Sequence, residues 1–174
     1  MQRGGVSFRY QELGGLPKPR PALDCSISAD ICIIGAGYTG LWAAYYLKKA
    51  DSSLNIVIVE EHFAGFGASG RNGGWLSGNF AWEHEKYLSS GTAEQVKAMV
   101  EAFHGTVDEV IAAAEMEGIN ADIHRTQELA IATNAYQFQR LAPELKRLHH
   151  WGDHRSRLES EAQLRARIAI PSAK

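Results

Sequence analysis

Cysteine is scarce in this sequence, which has only two among its 174 residues, Cys25 and Cys32. We expect these two not to pair, because Cys32 falls within a predicted strand and Cys25 in the segment before it. The low cysteine content excludes a small scaffold held together by disulfides. It fits a reducing compartment, and the predicted location is the cytoplasm.

Long apolar runs and an excess of one charge are also missing. No apolar run approaches the roughly 20 residues of a transmembrane helix, and Met1–Tyr10 lacks the continuous apolar segment of a signal peptide. The 18 basic and 20 acidic residues give a formal net charge of −2. Because this balance creates no basic field, we expect neither nucleic acid nor a membrane as a partner.

Residues 1–28 contain two glycine pairs and three closely spaced prolines, Pro17, Pro19 and Pro21. Proline fixes the backbone and cannot donate a hydrogen bond, so this composition predicts an extended N-terminal arm with no helix.

A glycine-rich turn follows the first apolar run of the chain. Ile31–Ile34 predicts a parallel strand buried on both faces, and GAGYTG follows at once. In this GxGxxG spacing Gly35 permits a tight turn, Gly37 lets the backbone approach a pyrophosphate, and Gly40 lets a helix pack on the strand. The phosphates would lie at the helix N-terminus. The predicted phosphate-binding residues are Gly35, Ala36, Gly37, Tyr38, Thr39 and Gly40.

The segments after this turn complete a dinucleotide-binding βαβ unit. Gly40–Ala50 predicts a helix, and Asn55–Glu60 predicts a second buried strand whose last residue falls 20 positions beyond Gly40. Glu60 is therefore placed to accept hydrogen bonds from a ribose 2′-hydroxyl, and its charge disfavours the 2′-phosphate of NADP. The alternative is an ordinary βαβ unit in which Glu60 is only solvated.

Residues 64–78, AGFGASGRNGGWLSG, form a second glycine-rich segment. So many glycines do not suit the interior of a helix or strand, but such a backbone can follow a flat ligand closely. The alternative is a mobile loop in which Asn72 and Gly73 only make a turn.

With these stretches the sequence resembles the FAD-dependent amine and amino-acid oxidoreductases of the D-amino-acid oxidase type. The family includes glycine, sarcosine and γ-glutamylputrescine oxidases, and the matching stretches are ADICIIGAGYTGLWAAYYL, VIVE and GASGRNGG. The resemblance implies FAD as cofactor and oxidation of a small amine or amino acid by hydride transfer to flavin. It also implies that the loop after the second strand lies against the flavin, through Ser69, Gly70, Arg71, Asn72, Gly73 and Gly74.

Two roles remain open for Arg71: it would stabilise the reduced flavin or a substrate carboxylate, or it would only brace the loop. The sequence identifies no catalytic residue. Trp75, Phe80 and Trp82 would line the cofactor or a channel, or would simply pack in a core. By the resemblance, the aromatic residues of the N-terminal arm, Phe8 and Tyr10, would pack on the domain or would be disordered.

Helical patterns dominate the rest of the chain. Thr92–Glu117 predicts a long amphipathic helix that starts at a Thr92–Gln95 capping box. Alternation from Ile119 and the run Glu128–Thr133 predict a β-hairpin or sheet edge. Asn134 then caps a helix, and we expect a second helix to begin near Pro143. Ser160–Ile168 predicts a short surface helix with its own capping box.

The histidines do not form a convincing metal site. The segment His149–Arg155 contains three histidines and an aspartate, but a polar turn after a helix explains them without a metal, and no metal is predicted. His104, beside the apolar face of the long helix, is interpreted as structural.

The predicted fold class is α/β, with a Rossmann-like FAD-binding βαβ domain followed by the start of an α+β substrate domain. By the resemblance, residues 29–118 are the N-terminal part of the FAD-binding domain and residues 119–174 begin the substrate domain. The chain would then be truncated, with under half of a complete family member, and a missing C-terminal half is a candidate partner. Two alternatives stay open, a non-catalytic dinucleotide-binding module and an inactive fragment.

Overall fold

Two short parallel strands, β1 (Ile31–Ile34) and β2 (Ile56–Val59), form the sheet in the computed structural model, which describes residues 7–80 and 83–169. Ile31 pairs with Ile56 and Ile34 with Val59. The bounds of β1 are as predicted, and β2 is one residue shorter at each end than the predicted strand. These strands belong to the first of two compact units, Met1–Trp75 and Leu76–Lys174.

The crossover between the two strands is helix α2 (Tyr38–Ala50), which begins directly at the predicted phosphate turn. Lys48 and Lys49 lie in its last turn, where positive charge complements the helix dipole. The predicted βαβ unit is therefore present.

The expectation that β1 is buried on both faces is wrong for this chain. Cys32 is exposed, and the Ile34 side chain is 88% exposed. The physical reason is that, within residues 7–80 and 83–169, the sheet has two strands and no third strand beside them to extend the covered surface.

The predicted extended arm contains a helix, which corrects that expectation for the residues the structure describes. Helix α1 (Phe8–Glu12) starts at Ser7, whose Oγ accepts a hydrogen bond from the Arg9 N–H at 3.1 Å. The prolines lie downstream of α1 and so do not prevent it. Residues 1–6 lie outside the described residues.

The second unit is built mainly from helices. Helix α3 (Ala93–Met116) has the predicted capping box, in which Thr92 and Gln95 exchange hydrogen bonds. Its buried face includes Val96 and Val100, which form a core cluster with Trp151. Phe80 packs against this cluster, so the core-packing interpretation holds for it, while Trp82 lies outside the described residues. Helix α5 (Glu161–Arg167) likewise starts at the predicted Ser160–Gln163 capping box.

Helix α4 (Ala135–His150) runs through Pro143 without a break, so the expected second helix start is wrong. A proline inside a helix removes one hydrogen bond. The apolar positions Leu141, Leu145 and Leu148 keep the same partly buried face on both sides of it, which favours one continuous helix. The predicted Asn134 cap is present, with Oδ1 accepting from the Gln137 N–H at 3.0 Å.

The predicted β-hairpin between Ile119 and Thr133 is also wrong, since this described segment contains no strand. Residues 119–130 are all exposed, and only Ile131 and Ala132 are partly or fully buried before α4 begins. Alternating apolar residues form a strand only when a neighbouring strand satisfies their backbone groups.

Candidate functional site

The glycines of the phosphate turn have the conformations that the GxGxxG spacing predicts. Gly35 has a φ of +97°, in the left-handed region that favours glycine, and its N–H donates to the Val59 carbonyl at 2.8 Å. A Cβ on Gly40 would overlap the Gly35 carbonyl oxygen and lie 3.2 Å from Ile33 Cγ2. Gly40 is thus required by the close packing of α2 on β1.

The N-terminus of α2 opens at this turn. Gly37 is the N-cap residue, and the Tyr38 N–H donates to Ser69 Oγ at 2.9 Å. The other N–H groups of the first turn have no acceptor within the helix, and the helix dipole makes this end favourable for negative charge. A Cβ on Gly37 would lie only 3.0 Å from Ser69 Oγ. A bulkier residue at position 37 would therefore push the glycine-rich loop away from the turn.

Glu60 lies beside the same turn, just after β2. Its Oε2 accepts a hydrogen bond from the Ala36 N–H at 2.9 Å, and its Oε1 accepts one from the His62 N–H at 3.2 Å. These two N–H groups, Ala36 first, hold the pKa of the Glu60 carboxyl below its ordinary value. The carboxylate is ionised and fixed at the edge of the turn, and its contact with a ribose stays a prediction.

Hydrogen bonds fold the glycine-rich loop back on itself. A short 3₁₀ turn covers Ala68–Gly70, and the Asn72 side-chain amide donates to the Ser69 carbonyl at 2.6 Å. Asn72 Oδ1 accepts from the Gly74 N–H at 2.7 Å. Asn72 also reaches the phosphate turn, because its amide nitrogen lies 3.2 Å from Tyr38 Oη.

The Arg71 side chain braces the loop in this structure. Its Nε donates to the Phe66 carbonyl at 2.9 Å, and its guanidinium carbon lies 4.6 Å from the centre of the Phe66 ring. The His62 ring stacks on Phe66 at 3.8 Å. The bracing role is therefore present, while a contact of Arg71 with flavin or substrate stays a prediction.

The structure thus brings the phosphate turn, Glu60 and the start of the loop into one place. Two side chains of α1, Arg9 and Tyr10, contact the loop. For Tyr10 the packed alternative left open by the sequence is therefore the one present. Sequence reasoning missed Arg9, because a helix inside a glycine- and proline-rich arm leaves no spacing signal that would have identified it. The first-turn N–H groups that lack an acceptor within the helix, the bare glycine backbone and the adjacent carboxylate together fit a diphosphate that carries a ribose.

Comparison with known proteins indicates which dinucleotide such a site is suited to. Residues 30–173 match the model of the FAD dependent oxidoreductase family. The chain belongs to this family. The family is one of FAD-dependent oxidoreductases, and membership implies a Rossmann-like, FAD-binding fold.

Curated relatives in the family are similar over part of this chain. Gamma-glutamylputrescine oxidoreductase of Escherichia coli is 39% identical over 85 residues, which are 47% of this chain and 20% of the relative. A probable oxidoreductase, OrdL, of Rhizobium meliloti is 40% identical over 84 residues, 47% of this chain and 19% of the relative. Sarcosine oxidase subunit beta of Rhodobacter capsulatus is 39% identical over 51 residues, 29% of this chain and 12% of the relative.

The matched part therefore spans about a fifth or less of the length of these relatives. No solved structure matches the chain.

Outside the phosphate turn, the histidines take part in ordinary side-chain contacts. His149 Nε2 lies 2.9 Å from the Ser156 carbonyl oxygen, and His104 Nε2 lies 3.9 Å from Asp153 Oδ1. Among residues 7–80 and 83–169, no three metal-binding side chains lie close enough to hold an ion. Within the same ranges, no helix has the length and apolar content needed to cross a membrane.

Proposed function

We propose that this chain is the N-terminal, FAD-binding part of an oxidoreductase that oxidises a small-molecule amine or amino acid. The observation that carries the proposal is the phosphate turn with Glu60 bonded to the Ala36 N–H and Ser69 bonded to the Tyr38 N–H. The family match and the names of two relatives, a gamma-glutamylputrescine oxidoreductase and a sarcosine oxidase subunit, support the amine class of substrate.

In this proposal the residues of the first unit bind and orient the cofactor. The N-terminus of α2 would hold the pyrophosphate with backbone N–H groups, and Glu60 would accept a hydrogen bond from the ribose. The loop residues Ser69–Gly74 would hold the flavin with their backbone. Bound FAD would supply the redox chemistry by accepting a hydride from the carbon that bears the amine. Arg71 would keep a positive charge near the ring or a substrate carboxylate.

The domain boundaries remain part of the proposal. Residues 29–118 would be the N-terminal part of the FAD-binding domain, and residues 119–174 would begin the substrate domain. Most substrate contacts would then come from a C-terminal portion of a longer protein, which is the partner that this chain requires. The relatives, whose matched segments cover only 12–20% of their lengths, support this view.

The test is a titration of the purified chain with FAD, followed by addition of a substrate amine. We expect the chain to bind FAD saturably. When the C-terminal portion of the longer protein is fused in frame, we expect γ-glutamylputrescine or sarcosine to remove the visible flavin absorbance. Binding without any reduction in the fused protein would favour the rival proposal, a non-catalytic nucleotide-binding module. Absence of FAD binding in both forms would contradict both proposals.

A further inference from the structure

Helix α1 packs against the glycine-rich loop through the Tyr10 side chain. The Tyr10 ring meets the Phe63 ring edge to face, with 5.3 Å between their centres. A Cβ on Gly65 would lie 2.9 Å from Tyr10 Oη, and one on Gly70 would lie 2.6 Å from it. The phenol therefore fills the space that side chains at these two loop positions would occupy.

Arg9, the neighbouring residue on α1, reaches the far end of the same loop. Its Nη2 donates to the Gly73 carbonyl at 3.3 Å, and a Cβ on Gly74 would overlap this guanidinium. A turn closes α1 on its other side, where the Gly15 N–H donates to the Tyr10 carbonyl at 2.7 Å. Two consecutive residues of α1 thus hold both ends of the segment Gly65–Gly74.

The loop in turn is bonded to the phosphate turn at two points. The Gly65 N–H donates to the Ala36 carbonyl at 2.9 Å, and Ser69 Oγ accepts from the Tyr38 N–H at 2.9 Å. Gly65 and Gly70, on either side of Ser69, are the glycines that Tyr10 covers. The contact path therefore runs from Tyr10 through the loop to both sides of the turn.

We propose that Tyr10, supported by Arg9, is a positioning residue that fixes the glycine-rich loop for cofactor binding. Glycine-rich backbone loses much conformational entropy when it is ordered, and ordering it before the ligand arrives removes that cost from binding. Residues 9 and 10 lie upstream of the family match, which begins at residue 30. The consequence for FAD affinity rests on the proposed function, whereas the ordering of the loop does not.

The test compares three variants of the full chain: Tyr10→Ala, Tyr10→Phe and Phe8→Ala. Phe8 is the matched control, because it lies on the same helix and its side chain is 71% exposed. Amide hydrogen exchange of residues 65–74 is measured without FAD, and the amides of α3 serve as an internal reference for global stability. The FAD dissociation constant and the visible flavin spectrum are then measured for each variant.

For Tyr10→Ala we expect faster exchange in residues 65–74 with unchanged exchange in α3. Its FAD affinity should fall about tenfold, a shift of the size expected for an aromatic packing contact, with an altered flavin spectrum. Tyr10→Phe keeps the ring on Phe63 and should restore most of the protection, and Phe8→Ala should match the wild type.

Unchanged loop exchange in Tyr10→Ala, or an equal change in Phe8→Ala, would overturn the inference. If the wild-type chain binds no FAD at all, the proposed function fails. In that case the exchange data still test whether Tyr10 orders the loop, which does not depend on FAD.

Discussion

The carboxylate of Glu60, the residue that follows β2, is hydrogen-bonded to the phosphate turn. Sequence spacing placed it near a bound ribose, and the structure adds its hydrogen bond to the Ala36 N–H. No spacing rule predicts that second contact, since it depends on how far the side chain reaches back across the turn. Glu61, the next residue, serves as a matched control because its side chain is 89% exposed and its carboxylate lies only near the His62 ring, at 4.0 Å.

We expect Glu60→Ala to weaken FAD binding by roughly tenfold or more, because it removes a charge-assisted hydrogen bond to the ribose. Glu61→Ala should leave the affinity unchanged. Fluorescence titration with FAD measures both. A larger effect in the Glu61 variant would show that the interpretation of the strand end is wrong by one residue.

Gly37 is the position of the turn where added side-chain volume meets the loop. Gly37→Val should abolish measurable FAD binding, because a branched side chain would obstruct the pyrophosphate and press on Ser69. Gly67→Ala is the matched control, since a Cβ there meets no atom within 4 Å. Circular dichroism should show little change in helix content for either variant. Retained FAD affinity in Gly37→Val would contradict the assignment of the turn.

Helices and strands differed in how far the sequence predicted them. The caps of α3, α4 and α5 were confirmed, because a capping side chain bonds to backbone only two or three residues away. The predictions of a strand at Glu128–Thr133 and of an arm without a helix were wrong. A strand depends on a partner elsewhere in the chain, and α1 depends on a local Ser7 cap within a segment whose composition suggests no helix.

In the second unit, His84 connects its 3₁₀ helix (His84–Ser89) to the end of α4. The ring is only 6% exposed, stacks between Phe80 and Trp151, and places Nδ1 3.3 Å from Arg147 Nη1. Since arginine can only donate, Nδ1 accepts and the ring is neutral. Burial first, and then the charge of Arg147, lower the pKa of His84, while the carboxylates of Glu85, Glu144 and Asp153 oppose this.

A lowered histidine pKa makes the second unit sensitive to acid. In the unfolded chain, His84 takes up a proton as the pH falls through about 6.5, whereas in the folded chain protonation requires a lower pH. The contribution of neutral His84 to the free energy of unfolding is therefore complete above about pH 6.5 and is lost as the pH falls through the folded pKa. We expect the free energy of unfolding to fall as the pH drops from 7 towards 5. His84→Gln should flatten this dependence. Urea titrations at several pH values measure it, and identical slopes in the wild type and the variant would contradict the account.

Asp153 extends the acid sensitivity to lower pH. Burial raises its pKa, but hydrogen bonds from Ser156 and the Arg155 N–H and the nearby His104 outweigh it and leave the pKa lowered. Its contribution is present above about pH 3.9 and is lost as the pH falls through the folded value. The two groups therefore act in successive pH windows.

At the scale of the whole molecule, the sequence predicted the βαβ unit and the family, since both depend on a local pattern of about 30 residues. The truncation that the resemblance implies also predicts that apolar surface of Ile31–Ile34 and Ile56–Val59 is left partly uncovered, and the exposed Cys32 and Ile34 agree with it. The sequence did not predict which positions of β1 these are, because that depends on what packs on each face of the sheet. Two strands with an 88% exposed Ile34 leave apolar surface and sheet edges open.

We therefore expect the 174-residue chain alone to unfold readily, to self-associate and to hold FAD weakly. An in-frame fusion to a C-terminal portion should raise the unfolding temperature and the FAD occupancy together, because both depend on covering the sheet. Calorimetry and flavin absorbance of the two proteins measure this. A cooperative unfolding transition with tightly held, stoichiometric FAD in the chain alone would mean that residues 119–174 complete the flavin domain themselves.

The account rests centrally on FAD binding at the phosphate turn, Glu60 and the glycine-rich loop. The most direct test is amide hydrogen exchange of the chain with and without saturating FAD. We predict that FAD slows exchange in Gly35–Gly40 and in Ser69–Gly74, and leaves α5 unchanged. Saturable FAD binding that protects a different segment, or that leaves both of these unchanged, would contradict the account.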